Sequence, residues 1–258
     1  MTIQAPLHWP YPRWIAHRGA GKLAPENTLA AFQLGSRHGF RMYECDVKLS
    51  QDGVPFLLHD ATLERTTNGR GMAGDKAWSE LAQLDAGSWL NPTFQAEPLL
   101  TLQALCKWLG ERGHLVNLEI KPTPGQAMPT GHAVATSVRQ WWDTRLPWPL
   151  LSSFEPEALH AAQQADAEIP RALLLDQWRA NWLDEARQLA CVAVVPRHTL
   201  LTAEAIAQAH AAGLRVLTYT VNDAGRADTL WNMGLDGLIT DAVDHFEPQA
   251  RAESTPID

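Results

Sequence analysis

The chain is short of several things, and each shortage excludes a class. It has only three cysteines, Cys45, Cys106 and Cys191. Their spacing matches no metal knuckle, and an odd number argues against a disulfide framework, so a reducing compartment is expected. No run approaches the roughly 18 consecutive apolar residues that cross a bilayer. The first fourteen residues lack a basic stretch followed by a long apolar core and carry three prolines, which excludes a secretory signal and points to the cytoplasm. Positive charge is also scarce: 21 Lys and Arg stand against 29 Asp and Glu, a net charge of −8 over 258 residues. Nucleic acids and anionic membranes are therefore poor partners, and any anionic ligand must be held by a local site. No internal repeat and no low-complexity segment interrupts the chain, and only residues 249–258 read as a polar, frayed end.

What is present is a globular composition, 45% hydrophobic and 19% charged, of a length common for a single α/β barrel. Short apolar runs read as strands at Trp14–His17, Met42–Leu49, 54–59, Leu115–Ile120, Leu150–Ser153, Arg171–Leu175, 192–195, 215–221 and Gly237–Thr240. Helical patterns lie between most of them, as at 27–38, 155–166, 202–212 and 223–233, the last two each followed by a glycine, Gly213 and Gly234, suited to a helix end. Alternation of this kind means a parallel sheet with helical crossovers.

Nine strands are one too many for an eight-stranded barrel. The extra one is 54–59, separated from the strand before it only by Ser50, Gln51, Asp52 and Gly53. So short a link cannot join parallel neighbours, and Asp-Gly favours a hairpin. The expected fold is a TIM-type (β/α)8 barrel, one catalytic domain over 1–258. It carries a small insertion at about 60–98, after the second strand and its hairpin, rich in Gly, Thr, Asn and Trp with a weak helix near 79–84.

Barrel enzymes keep their chemistry at the C-terminal ends of the strands. Here those ends are polar where apolar side chains would be ordinary: His17 and Arg18, Glu44 and Asp46, His59 and Asp60, Glu119 and Lys121. Residues two apart on a strand share a face, so Glu44 pairs with Asp46 and Glu119 with Lys121. Three carboxylates on one interior repel unless protonated, paired or bound to a cation, and hard oxygen donors favour Mg²⁺ or Ca²⁺. Separate salt bridges are the alternative, with Glu119 on Lys121 and Arg18 on Glu26. If Ser50 faces Val54 across the turn, Asp46 lies opposite Leu58 and Cys45 opposite His59, which brings His59 level with the carboxylates. His17 reaches the same rim, and two imidazoles beside a cation suit general acid–base work. Arg18 and Lys121 add fixed positive charge for phosphate or carboxylate oxygens. Trp89, Phe154, Tyr219 and Trp231 are candidates for an apolar substrate wall, with ordinary packing as the alternative.

His17-Arg18-Gly19, Pro25-Glu26-Asn27-Thr28, Glu44-Cys45-Asp46-Val47, Asp52-Gly53 and His59-Asp60 together resemble the glycerophosphodiester phosphodiesterases. The run from Leu63 to Gly71, then Glu119-Ile120-Lys121-Pro122, Ser152-Ser153-Phe154 and Tyr219-Thr220-Val221-Asn222, continue the likeness. It spans roughly Pro12 to Asp244 and is nearest to the family's short cytoplasmic bacterial members, linked to glycerol 3-phosphate uptake. The resemblance implies hydrolysis of small-molecule glycerophosphodiesters to an alcohol and sn-glycerol 3-phosphate. It implies a divalent cation on Glu44, Asp46 and Glu119 and an acid–base pair in His17 and His59, with His17 taken as the base. Arg18 and Lys121 are implied to contact phosphate. Phe154 and Trp231 are added from the residue-level reading as substrate contacts. Two alternatives stay open: a barrel glycoside hydrolase using paired carboxylates, and a noncatalytic binding protein.

Overall fold

A computed structural model describes residues 9–248. Among these, nine strands make one sheet: β1 (Trp14–His17), β2 (Met42–Leu49), β3 (Pro55–Leu57), β4 (Leu115–Ile120), β5 (Leu150–Ser153), β6 (Arg171–Leu175), β7 (Ala193–Pro196), β8 (Arg215–Thr218) and β9 (Gly237–Thr240). The order is β1-β9-β8-β7-β6-β5-β4-β2-β3, and β1 also pairs in parallel with β2. Eight parallel strands thus close a TIM-type barrel. Only β3 runs antiparallel, outside the ring on β2.

The helices are α1 (Leu29–Arg37), α2 (Trp78–Leu81), α3 (Leu102–Arg112), α4 (Ala127–Trp141), α5 (Pro156–Ala165), α6 (Trp182–Gln188), α7 (Ala203–Ala211) and α8 (Ala224–Asn232). Several starts are set by side chains that satisfy otherwise orphaned backbone donors. Thr28, Thr101, Thr202 and Asp223 accept from the amides of Ala31, Ala104, Ala205 and Arg226. Helices cover the outer face and side chains fill the inside, so strands such as β2 are buried almost throughout.

The hairpin register is the expected one. Val47 pairs with Leu57 and Leu49 with Pro55, and the Leu58 amide donates to the Asp46 carbonyl at 3.1 Å. The ladder stops there, so the expected strand 54–59 is shorter and His59 rides on the loop beyond it. The strand expected at 215–221 likewise ends at Thr218, and Tyr219 to Val221 form rim loop. The strand at 192–195 is displaced by one residue. The frayed end expected at 249–258 lies outside the described residues.

Between β3 and α3 the insertion packs Leu63 and Leu81 against Phe56 and Leu58 of the hairpin arm in a small separate apolar cluster, with Trp78 against it. It is tied to the barrel mouth by Arg65, whose guanidinium donates to Glu26 at 2.8 Å and to Asp60 at 2.6 Å. One glycine contact sets how closely α1 approaches that mouth. A Cβ on Gly35 would stand 2.1 Å from the carbonyl oxygen of Gly19, so only glycine lets the helix seat against the loop after β1.

Candidate active site

The parallel register stacks the functional side chains in two inward-facing layers. His17 lies opposite Glu44, and Glu44 opposite Asn117. Asp46 lies opposite Glu119, and Glu119 opposite Ser152. One carboxylate oxygen from each of Glu44, Asp46 and Glu119 comes within 4.8 Å of the other two. The exposures of these residues are only 3%, 0% and 7%.

Burial and mutual repulsion act on this trio unequally. Burial, then Asp46 and Glu119, push the Glu44 carboxyl well above the usual carboxylate range. Burial and Asp46 raise Glu119 to about 7, against the pull of Lys121. Asp46 goes the other way: burial would raise it, but Arg18, His59, Lys121 and the Asn27 amide outweigh that and hold it at about 2. Lys121 Nζ sits 2.6 Å from Glu119 and 3.8 Å from Asp46. Arg18 reaches Glu26 at 2.8 Å and Asp46 at 3.2 Å. The salt bridges weighed as alternatives are therefore present, yet they do not exhaust the carboxylates. Glu44 Oε1 and Asp46 Oδ1 are buried without a hydrogen-bond partner. Buried acceptors of that kind call for a partner, and an all-oxygen donor set facing one point fits a hard divalent cation.

The two imidazoles are built alike. His17 Nδ1 lies 2.6 Å from Asp241 Oδ1, and His59 Nδ1 lies 2.7 Å from Asp60 Oδ1. The Asp60 carboxyl is held well below the ordinary range by Arg65 and His59; Asp241 is lowered too, because His17 and Asn222 outweigh burial. Ionised carboxylates only accept, so each imidazole carries a proton on Nδ1 and leaves Nε2 for chemistry. His17 Nε2 lies 3.7 Å from Glu44. Burial lowers His59, with Arg18 and Lys121 adding to it against Asp46.

The loop that carries Arg18 is strained. Arg18 and Asn27 both have left-handed backbone, φ 49° and 62°. The Asn27 amide group donates to Asp46 Oδ2 at 2.9 Å and its carbonyl oxygen accepts from the Asp46 amide at 3.2 Å. The proline-to-threonine stretch before α1 is thus a helix start and a clamp on Asp46 at once. Lys48 is almost wholly buried, lowered by burial to about 8, and donates to the carbonyls of Lys121 at 2.9 Å and His59 at 3.4 Å.

A cavity of about 390 Å³ opens at this end of the barrel, lined by His17, Arg18, Glu44, His59, Glu119 and Lys121. Phe154 and Tyr219 form its apolar wall, their rings edge to face at 5.7 Å, with Lys121 Nζ 5.4 Å from the Phe154 ring. A second cavity of about 490 Å³ continues past His59 and Lys121 toward Pro122 and Glu155.

Two expected wall residues are elsewhere. Trp231 stacks edge-on with Trp14 at 5.3 Å, under the Arg13 guanidinium at 4.1 Å. Trp14 begins β1, so this cluster is at the opposite end of the barrel; the crossover helix brings its C-terminal turn back to the strand starts. Trp89 stands in the insertion, 38% exposed, with its indole donating to the Ala86 carbonyl. Asp241, Asn27 as a clamp, Asn117, and Asp176 and Arg197, which also line the 390 Å³ cavity, escaped the sequence reading. Asn117 had a usable signal, since it shares the face of Glu119 and Lys121 by alternation. Asp241 follows β9, the strand that pairs with β1, and only barrel closure makes them neighbours.

The profile of the glycerophosphoryl diester phosphodiesterase family matches residues 17–245. The chain belongs to that family. Family membership sets aside the glycosidase alternative and brings the class of phosphoric diester hydrolase. A phosphodiesterase from Oleispira antarctica, solved in complex with the product sn-glycerol-3-phosphate, superposes with a TM-score of 0.87 at 36% identity, covering 91% of this chain and 94% of that one. The glycerophosphodiester phosphodiesterase of Agrobacterium tumefaciens C58 gives 0.77 at 29% identity, covering 92% of this chain and 99% of its own. YhdW of Bacillus subtilis strain 168, provisionally named a glycerophosphodiester phosphodiesterase, is 33% identical over 244 residues, covering 93% of this chain and 98% of its own length.

Proposed function

We propose that this chain, as one catalytic barrel, hydrolyses glycerophosphodiesters to an alcohol and sn-glycerol 3-phosphate, using a divalent cation, Mg²⁺ or Ca²⁺, with His17 and His59 as acid and base. The observation that carries the reading is the convergence of three buried carboxylate oxygens within 4.8 Å, at a cavity also lined by two imidazoles and three cationic side chains, Arg18, Lys121 and Arg197. The product bound in the Oleispira antarctica relative supports the choice of substrate.

Glu44, Asp46 and Glu119 would hold the cation, which when bound supplies positive charge to the phosphodiester and acidifies an adjacent hydroxyl. Carboxylates shared with such an ion hold Arg18 and Lys121 less tightly, which leaves the guanidinium fork and the ammonium for the phosphate oxygens. Phe154 and Tyr219 shield the glycerol carbons. A new P–O bond forms from the attacking hydroxyl and the P–O bond to the alcohol breaks. One imidazole takes the nucleophile's proton on Nε2 and the other delivers one to the departing alkoxide. In the order expected from sequence, His17 is the base and His59 the acid. The lowered His59 makes its imidazolium a stronger acid than an ordinary one, and the rarer form at neutral pH. An activated leaving group should then rescue His59→Ala and not His17→Ala; the opposite rescue reverses the order. The glycerol 2-hydroxyl is the proposed first nucleophile, giving a cyclic phosphate that water opens. Full turnover of a 2-deoxyglycerol diester would refute that step.

No helix among the described residues is long and apolar enough to cross a membrane. Three buried, unpaired thiols support a cytoplasmic place and the acidic balance a small-molecule partner; the role beside glycerol 3-phosphate uptake is proposed from the sequence resemblance alone. The test is release of glycerol 3-phosphate from glycerophosphocholine and glycerophosphoethanolamine, with and without chelator. Turnover should vanish with chelator and return with Mg²⁺ or Ca²⁺. Full turnover after exhaustive chelation refutes the cation; cation binding with no turnover of either diester supports a noncatalytic binder.

A further inference from the structure

Asn117 sits in the middle of β4 with no exposed surface, and neither polar atom of its side-chain amide has a hydrogen-bond partner. Buried amides are otherwise almost always paired, because the desolvated donor and acceptor gain nothing in return. Its surroundings are not apolar by accident of sequence. It lines the 390 Å³ cavity, shares the inward face of β4 with Glu119, and stands opposite Glu44 in the β2–β4 register. Glu44 Oε1 is also unpartnered, and yet it makes no hydrogen bond to the Asn117 amide. Two neighbouring groups with complementary capacity both remain unpartnered in the lining of one cavity.

An amide is a suitable fourth member for a trio of carboxylates. It adds a hard oxygen without adding negative charge, so it does not deepen the repulsion that already raises Glu44 and Glu119. It also offers a donor, which a carboxylate lacks. Divalent cations of the Mg²⁺ type keep several waters when bound by few protein ligands. Those waters need acceptors and donors at fixed places around the ion.

We infer that Asn117 is a positioning residue of the cation site, making its hydrogen bonds to the ion's hydration water and to Glu44 only when the site is loaded. The inference rests on the cation reading proposed above. Ser152, one layer higher and opposite Glu119, has a buried hydroxyl that is likewise unpartnered, and it would serve the same shell from the next strand.

Replacement by an apolar side chain of similar volume separates this role from a structural one. Asn117→Leu, with Asn117→Ala as a second variant, is compared with the wild-type chain by thermal unfolding in chelator and in saturating Mg²⁺ or Ca²⁺. Ion affinity is measured by calorimetry. In chelator the variants should unfold at or above the wild-type temperature, because an unpaired buried amide is removed. The rise in unfolding temperature that the cation confers should shrink, and affinity should fall by about 10- to 100-fold. Variants that unfold earlier in chelator and respond to the cation as wild type does would overturn the inference and make Asn117 a core residue. If the wild-type chain itself neither binds the ion nor gains stability from it, the cation reading fails and this inference falls with it.

Discussion

Protonation of the buried carboxylates makes stability and pH report on the cation site without any turnover. Glu119 is raised from its ordinary 4.5 to about 7 in the fold, and Glu44 moves in the same direction. Between those two values the folded chain binds more protons than the unfolded one, so stability is full below pH 4.5 and falls as pH rises toward 7. At about 1.4 kcal/mol per pH unit, Glu119 alone accounts for about 3 kcal/mol across that window. Asp46, held at about 2, acts oppositely only as pH falls through 4 to 2, outside the window. Burial lowers His59, His198 and His114, the last to about 4, and these oppose Glu119 inside it. The Glu119 share is therefore read as the difference between the wild type and Glu119→Gln. For a chain of this size, 1 kcal/mol moves the unfolding temperature by about 2–4 °C, so the wild type should lose roughly 6–12 °C relative to Glu119→Gln from pH 4 to 7.5 in chelator. Saturating Mg²⁺ or Ca²⁺ replaces the protons, and the decline should flatten. Glu119→Gln is the reference for that loss, since an amide does not ionise. Differential scanning calorimetry over this range is the assay. A difference between the wild type and Glu119→Gln that does not change with pH in chelator, or that changes equally with and without cation, would refute the picture of three carboxylates sharing one ion.

Other outcomes follow from the same geometry. His17→Ala and His59→Ala should each lower kcat by about 10²–10⁴-fold with an unchanged circular dichroism spectrum. Asp241→Ala should lower kcat by on the order of 10²-fold, because the His17 ring loses the 2.6 Å contact that fixes its proton on Nδ1; Asp241→Asn should recover part of that rate. Trp231→Phe should leave kcat and KM at wild-type values, since its ring packs on Trp14 at the far end of the barrel; a raised KM would return it to the substrate wall. Gly35→Ala should lower the unfolding temperature and, by pushing α1 from the Gly19 carbonyl, weaken turnover through the Arg18 loop.

Much of the site was readable because strands encode direction. Glu44 and Asp46, two apart, had to share a face, and so did Glu119 and Lys121. The four-residue link at Ser50 to Gly53 set the hairpin register, and with it the height of His59. Identity of the strands was equally plain, since fully buried parallel strands are continuous apolar runs. Where the reading failed, the information was not local. Trp231 was placed on the substrate wall because an aromatic on a crossover helix looks the same from either end of the barrel. The 215–221 run stayed apolar past the point where pairing stops, so the strand seemed longer than it is. Asn27 read as a cap and is a clamp on Asp46, which requires a left-handed turn that no motif announces.

By itself the order of residues determined the alternation of strand and helix, the inward faces, and which side chains would carry charge at the rim. Those are properties of neighbours along the chain, set by a repeat of two and by short turns. Closure of the ring decided the rest. It set Asp241 against His17, Glu119 level with Asp46, and Asn117 beside Glu44, and it moved Trp231 to the other pole. Contacts between strands distant in sequence depend on barrel register, and the field that raises Glu119 while lowering Asp46 exists only after burial has removed the water between them.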